Sequence, residues 1–258
     1  MPDPTSAQHD NWDAHWDQYA AAASENPAQQ MRHAIVTRLL ESSRKAEAKI
    51  FDIGSGQGDL VQKLDPLWPD AKFLGAELSE SGVAISKRKV PRATFLVADL
   101  FQPPDAMQEY LGWATHAVCS EVLEHVDDPA AFLRQAQPYL APGAELIVTV
   151  PGGPMSAFDR VIGHRQHFTR DSMAKVLQEA GFETRHVYLS GFPFFNLYRL
   201  TVIARGEKLA DDVRAGQTGS GSKLASMVMA VFRGLFRFNL LDSPFGWQVV
   251  AVARKPSL

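Results

Sequence analysis

Ile50-Phe51-Asp52-Ile53-Gly54-Ser55-Gly56-Gln57-Gly58-Asp59-Leu60 decides how the rest of the chain is read. A short apolar run carries an acid, passes through glycines on alternate positions, and continues into Leu60, Val61 and Leu64 at helical spacing. The pattern predicts a strand, a tight loop and the start of a helix. Glycines at 54, 56 and 58 allow a backbone to lie against a ligand at the strand's carboxyl end, where a Cβ would intrude. A dinucleotide loop of the Gly-x-Gly-x-x-Gly type needs its last glycine at position 59, which is Asp59.

Outward from this loop the chain alternates strand and helix patterns, which predicts an α/β doubly wound, Rossmann-like sheet with helices on both faces. Strands are predicted at 49–53, 72–77, 94–99, 114–120, 145–150, 183–189 and 246–254. Helices are expected at 58–66, from Ser79, at 129–140 and at 170–180, the last capped by Gly181. Ala141-Pro142-Gly143 reads as a turn. The sheet domain therefore spans 48–190 and 246–258.

Two segments stand apart from the sheet. Residues 1–10 read as a disordered lead, and 11–47 as N-terminal helices. Trp12, Trp16 and Tyr19 share one helical face, which suits either packing on the core or a lid over the cofactor pocket. After Asn26-Pro27 a second helix turns Met31, Ile35, Leu39 and Leu40 inward. Between the last two strands lies an insert, 191–245, with apolar helical ends and a loop at 211–222 that reads as mobile. Its final helix carries Leu224, Met227, Val228, Val231, Phe232, Leu235, Phe236 and Phe238 beside a narrow strip of Lys223, Arg233 and Arg237. So apolar a helix needs a cover: the enzyme body, the partner helix 192–209, a second copy in a homodimer, or a membrane surface in peripheral contact.

Three acids fall at predicted strand ends on the edge where open α/β folds bind ligands: Asp52, Glu77 and Asp99. A carboxylate at Glu77 can accept both hydroxyls of a ribose, and Asp99 is placed for an adenine amino group. A dehydrogenase also places an acid after its second strand, so Glu77 alone is not decisive. Asp52, the Gly-x-Gly-x-Gly loop, Glu77 and Asp99 in this order resemble the class I S-adenosylmethionine (SAM) methyltransferases. Ser120-Glu121-Val122-Leu123-Glu124-His125-Val126-Asp127-Asp128-Pro129 is similar to motif IV of the small-molecule group that includes the ubiquinone-biosynthesis O-methyltransferases. The resemblance implies a seven-stranded class I sheet, an N-terminal lid, a helical cap before the last strand, and SAM as cofactor with S-adenosylhomocysteine as product. It implies a cofactor site of Asp52, Gly54, Ser55, Gly56, Gly58, Glu77, Leu78, Asp99, Leu100, Ser120 and Glu121.

The same block raises a metal question. Glu121, Glu124 and His125 form an oxygen, oxygen, nitrogen set at i, i+3, i+4, similar to the magnesium site of the ubiquinone and small-RNA O-methyltransferases. A later loop, Gly163 to Thr169, supplies His164 or His167, and His167 completes the candidate ligand set. A divalent ion there would acidify a substrate hydroxyl. Without a metal, His164 or His167 is the candidate general base beside Glu121, since imidazole titrates near neutral pH. Each histidine alone equally suits a plain loop role.

Bulk numbers bound the rest. The 258 residues carry 45% hydrophobic and 21% charged residues, which suits one globular domain with insertions. A net charge of −3 offers no global attraction for nucleic acid, so RNA 2′-O-methylation is a secondary reading. Cys119 is the single cysteine, which excludes an intramolecular disulfide and fits a reducing, cytoplasmic setting. The N-terminus lacks a signal-peptide pattern and no apolar run reaches membrane-spanning length. The predicted activity is O-methylation of a small or lipid-linked hydroxyl compound, with a non-catalytic SAM-binding regulator as the reading from a different class.

Overall fold

The computed structural model describes Asp13, residues 26–206 and residues 223–257. The predicted aromatic face of Trp12, Trp16 and Tyr19, and the loop 211–222, lie outside the described residues. Chain order is α1 (Pro27–Ser42), β1 (Lys49–Ile53), α2 (Asp59–Leu64), β2 (Lys72–Glu77), α3 (Glu80–Lys89), β3 (Thr94–Val97), β4 (Ala114–Ser120), α4 (Pro129–Ala136) and β5 (Leu140–Pro151). It continues through α5 (Ala157–Val161), α6 (Arg170–Glu179), β6 (Glu183–Ser190), α7 (Phe194–Ala204), α8 (Lys223–Leu235) and β7 (Gln248–Arg254).

The seven strands form one sheet in the order β3-β2-β1-β4-β5-β7-β6. The β1, β2, β3, β4 and β5 pairings are parallel, whereas β7 runs antiparallel to both β5 and β6. Central strands are buried on both faces, as near-continuous apolar runs such as Val118–Cys119 and Leu146–Val148 require. On one face Ile50, Phe73, Val118 and Ile147 pack under Val36 and Leu40 of α1, Val61 and Leu64 of α2, and Val83 of α3. On the other, Phe51, Leu74, Leu146 and Val148 pack under Leu133 of α4 and Met173 and Leu177 of α6.

Several boundaries move for local reasons. The helix predicted from 58 starts at Asp59, because Gly58 is left-handed at φ 75° and cannot be its first helical residue. The third strand stops at Val97, and Asp99 instead accepts a hydrogen bond from the Phe101 amide in a side-chain-closed turn. The predicted turn at 141–143 is absorbed into a longer β5, whose pairing with β4 slips between Ala114 and His116.

The glycine loop turns sharply over the end of β2. The amides of Gly54 and Ser55 both donate to the Ala76 carbonyl, at 2.8 and 3.0 Å. This close seating depends on Gly75: a Cβ there would lie 2.4 Å from the Phe95 ring and 2.7 Å from Ser55 Oγ. Gly75→Ala is predicted to destabilise the fold by about 1–3 kcal/mol through overpacking, read as a lowered midpoint in urea denaturation at unchanged slope.

Candidate active site

Every element of the site sits at the carboxyl edge of the sheet. The loop after β1 is held in left-handed conformations at Gly54 (φ 70°), Gly56 (φ 54°) and Gly58 (φ 75°). At Gly54 a Cβ would lie 2.4 Å from Val122 Cγ2, so the loop touches the motif-IV segment directly. Glu77 ties it from beneath: Oε2 accepts from the Gly56 amide at 2.8 Å and Oε1 from the Ser79 amide at 3.0 Å. A carboxylate oxygen can accept more than one hydrogen bond, so this group is of a type that can also take ligand hydroxyls. Asp59, where a dinucleotide loop wants glycine, accepts from Gln29 of α1 at 3.0 Å and from Gln57 at 2.9 Å, and pairs with Lys89 of α3 at 2.5 Å. It clamps the loop to the helices on either side.

A cavity of about 450 Å³ opens above the loop, within the usual range for small-molecule sites. Asp52, Gly54, Ser55, Gly56, Ser120 and Glu121 line it. Gly58, Glu77, Leu78, Asp99 and Leu100 lie outside that lining, along the ends of β1, β2 and β3. Leu78 is half exposed there, whereas Leu100 is buried. Asp13, within the predicted aromatic helix, accepts from Ser79 Oγ at 2.6 Å and from the Ser81 amide at 3.1 Å, at the start of α3 beside Glu77.

The motif-IV segment leaves β4 through Glu121, whose φ of 56° makes it the one described non-glycine residue in the left-handed region. Such a conformation costs about 1–3 kcal/mol and needs over-determined surroundings. Three contacts supply them: Thr149 Oγ1 at 3.1 Å and Gln248 Nε2 at 2.9 Å donate to Glu121 Oε1, and Arg32 of α1 pairs with Oε2 at 3.5 Å. Glu121 thus faces β5, β7 and α1.

Glu124 and His125 instead meet His164, with one ligand atom from each lying within 4.8 Å of the others. Glu124 is fully buried and neither carboxylate oxygen has a hydrogen-bond partner. Burial, then the charge of Glu121, pushes its pKa well above the carboxylate range. The backbone locks the cluster: the Arg165 amide donates to the Glu124 carbonyl at 2.8 Å and Gln166 Nε2 to the Val126 carbonyl at 3.1 Å.

The histidine tautomers follow from their partners. His167 Nδ1 lies 3.1 Å from the Gly153 carbonyl, so it carries the proton and Nε2 is an acceptor. His164 Nδ1, 3.2 Å from that Nε2, is then the donor. This leaves the lone pair of neutral His164 on Nε2. Burial, reinforced by His125, lowers His164 to about 3, and burial lowers His167 as well. His167 sits with His164 and Asp159 in a second cluster. Burial opposes ionisation of Asp159, but two hydrogen bonds from Arg199, at 3.1 and 2.7 Å, and those from Ser156 hold it at about 2.

The helix-forming insert reaches the site through α7. Phe195, Tyr198, Arg199 and Val202 line the cavity, and Arg199 fastens α7 to α5 through Asp159. Behind them Phe232 and Phe236 are buried against Phe195 and Tyr198, with ring centroids 5.4–5.9 Å apart across the α7–α8 contacts. Each such buried ring contributes about 1.5–3 kcal/mol. Arg32, Thr149, Asp159, Arg199 and Gln248 were not singled out from the sequence. Gln248 offered one signal, a lone amide opening the apolar run Val249-Val250-Ala251.

This sheet order, with one antiparallel strand and a glycine loop after β1 tied to an acid at the end of β2, defines a Rossmann-like class I methyltransferase fold. The chain belongs to the methyltransferase-domain family, whose model matches residues 23–187. Among curated relatives, the ubiquinone biosynthesis O-methyltransferase of Acinetobacter baumannii (strain ACICU) is 28% identical over 121 residues, 46% of this chain and 50% of the relative. The chain thus matches about half the length of that relative. Among solved structures, the [4+2]-cyclase SpnF superposes with a TM-score of 0.61 at 18% identity, covering 89% of this chain and 83% of that one. A phosphoethanolamine N-methyltransferase of Haemonchus contortus, solved with S-adenosylhomocysteine, gives 0.57 at 18% identity over 87% and 52%.

Asp52 makes the site's electrostatics measurable. Burial, reinforced by Glu77 and Asp59, raises its pKa from 3.8 to about 7. A carboxyl that binds its proton more tightly when folded contributes fully below about pH 4, and that contribution fades as pH rises through about 7. Asp52→Asn is therefore predicted to gain stability relative to the parent between pH 5 and pH 8, by up to about 4 kcal/mol, measured by thermal denaturation across that range.

Proposed function

We propose that the protein transfers the methyl group of SAM to a hydroxyl oxygen of a small or lipid-linked compound in the cytoplasm. The observation that carries this reading is the acceptor nitrogen of His164 beside buried, unpartnered Glu124 in a cavity floored by the cofactor loop. In this reading Glu77 accepts the ribose hydroxyls, Asp99 the adenine amino group, and Leu78 and Leu100 flank the base. Asp52, Gly54, Ser55, Gly56 and Gly58 carry the methionine part, and Ser120 and Glu121 border its end. The apolar wall of Phe195, Tyr198 and Val202 selects an acceptor with an apolar body.

The chemistry asks for position more than for a nucleophile, because the sulfonium is already an activated donor. The acceptor oxygen forms its bond to the methyl carbon as the carbon–sulfur bond breaks, and S-adenosylhomocysteine leaves as a neutral thioether. The hydroxyl proton passes to His164 Nε2, whose tautomer is fixed through His167 and the Gly153 carbonyl. Burial holds His164 at about 3 rather than near neutrality as the sequence suggested, so it stays neutral but weakly basic and takes the proton late, from the acidic oxonium that forms as the methyl bonds to oxygen.

As an alternative to the base role, since both need the His164 Nε2 lone pair, Glu124, His125 and His164 fit a divalent ion: a buried carboxyl lacking hydrogen-bond partners and two imidazoles converge there. When bound, such an ion would supply Lewis acidity to a substrate hydroxyl. Glu121 does not join this set, being occupied by Thr149, Gln248 and Arg32. His167 reaches it only through His164.

Two experiments test these assignments. Methyl-labelled SAM incubated with a panel of phenols, alcohols and polyprenyl-linked hydroxyl compounds is expected to label an acceptor at oxygen. His164→Ala should lower kcat about 10²-fold or more while leaving SAM affinity within about threefold; an unchanged kcat, or label on nitrogen or carbon, contradicts the reading. Separately, calorimetric titration with Mg²⁺ or Mn²⁺ should give binding heat in the parent protein and none in Glu124→Gln. Equal heats in both would remove the ion from this site.

A further inference from the structure

We propose that the outer face of α7 and α8 docks on the surface of an anionic lipid bilayer. The two helices are apolar on two sides. Inward, Phe195, Phe232 and Phe236 are buried and pack with Tyr198 over α1. Outward, Leu197 and Leu200 of α7 are half exposed, and Met227, Val231 and Phe238 are exposed by 64, 54 and 71%. At helical spacing Met227, Val231 and Gly234 fall on one strip of α8, and Phe238 is exposed in the 3-10 turn that follows it. A Cβ at Gly234 would meet nothing within 4 Å, so the strip is open there.

Charge identifies the occupant. Residues 192–206 and 223–241 hold five basic residues, Arg199, Arg205, Lys223, Arg233 and Arg237, and no acid, in a chain of net charge −3. Arg199 is held inside by Asp159, but Arg237, in the turn that follows α8, is exposed next to Phe238. Basic residues flanking an exposed apolar strip are what an interfacial helix needs, with apolar side chains below the headgroups and guanidinium groups among them. A second copy fits poorly, since a twofold contact through this face would set its basic strip against itself. No helix among the described residues is long and apolar enough to cross a membrane, so the contact is peripheral.

The placement has a use for the cavity. The inner face of α7, through Phe195, Tyr198 and Val202, is a wall of that cavity, so docking sets the acceptor site one helix away from the lipid. Lipid binding is measured without turnover and does not depend on which atom is methylated.

The test is flotation of the full chain with vesicles of phosphatidylcholine alone or with about one third phosphatidylglycerol, at about 0.1 M and about 0.5 M NaCl. Binding is expected on the anionic vesicles, about tenfold above neutral ones and weakened by salt. The combined Met227→Gln, Val231→Gln and Phe238→Gln variant, and separately Arg237→Glu, should each lose most of it, with circular dichroism unchanged because these side chains are exposed. Equal binding to neutral and anionic vesicles, or binding indifferent to both variants, overturns the proposal. So does a dimer in light scattering that the apolar variant abolishes while no vesicle binding is seen, which would assign the face to a second copy.

Discussion

The structure depends on one tie: the Glu77 carboxylate, at the end of β2, accepting the backbone amides of Gly56 and Ser79. It joins the loop after β1 to the start of α3 and holds the left-handed glycine turn against the sheet. A charge so enclosed is acceptable because both oxygens are hydrogen-bonded to backbone donors. In the function proposed above the same tie would also place the ribose, so the fold and the cofactor site would share one interaction. Gly75 and Ala76 below, and Asp59 with its partners on α1 and α3, complete the frame.

The acceptor side is built differently. Its polar groups come from elements far apart in sequence: Glu121, Glu124 and His125 after β4, Asp159 and His164 after β5, Arg199 from the insert, Arg32 from α1 and Gln248 from β7. Glu121 is satisfied and strained, whereas Glu124 is unstrained and unsatisfied. That asymmetry separates a carboxylate that holds the loop from one that, in the proposed reading, meets a ligand.

This division explains what was legible beforehand. Asp52, Glu77 and the glycine loop follow from local spacing, because a strand, a turn and a helix cap each impose their own residue rules, whereas Asp99 lies past the end of β3 in a turn of its own. Apolar periodicity likewise located all seven strands. The Glu121, Glu124 and His125 spacing suggested one face of a helical turn, but the backbone runs left-handed at Glu121 and turns only briefly at 123–125, so the three side chains part. The Asp159–Arg199 pair and the Gln248–Glu121 bond span 40 and 127 residues, distances at which no sequence period operates.

The most direct measurement is a crystal structure with S-adenosylhomocysteine. The account predicts the ribose hydroxyls on Glu77, the homocysteine part along Gly54 to Gly56, and the sulfur opening into the cavity that holds Glu124 and His164. Adenosine bound away from Glu77, or a sulfur facing away from that cavity, would contradict it.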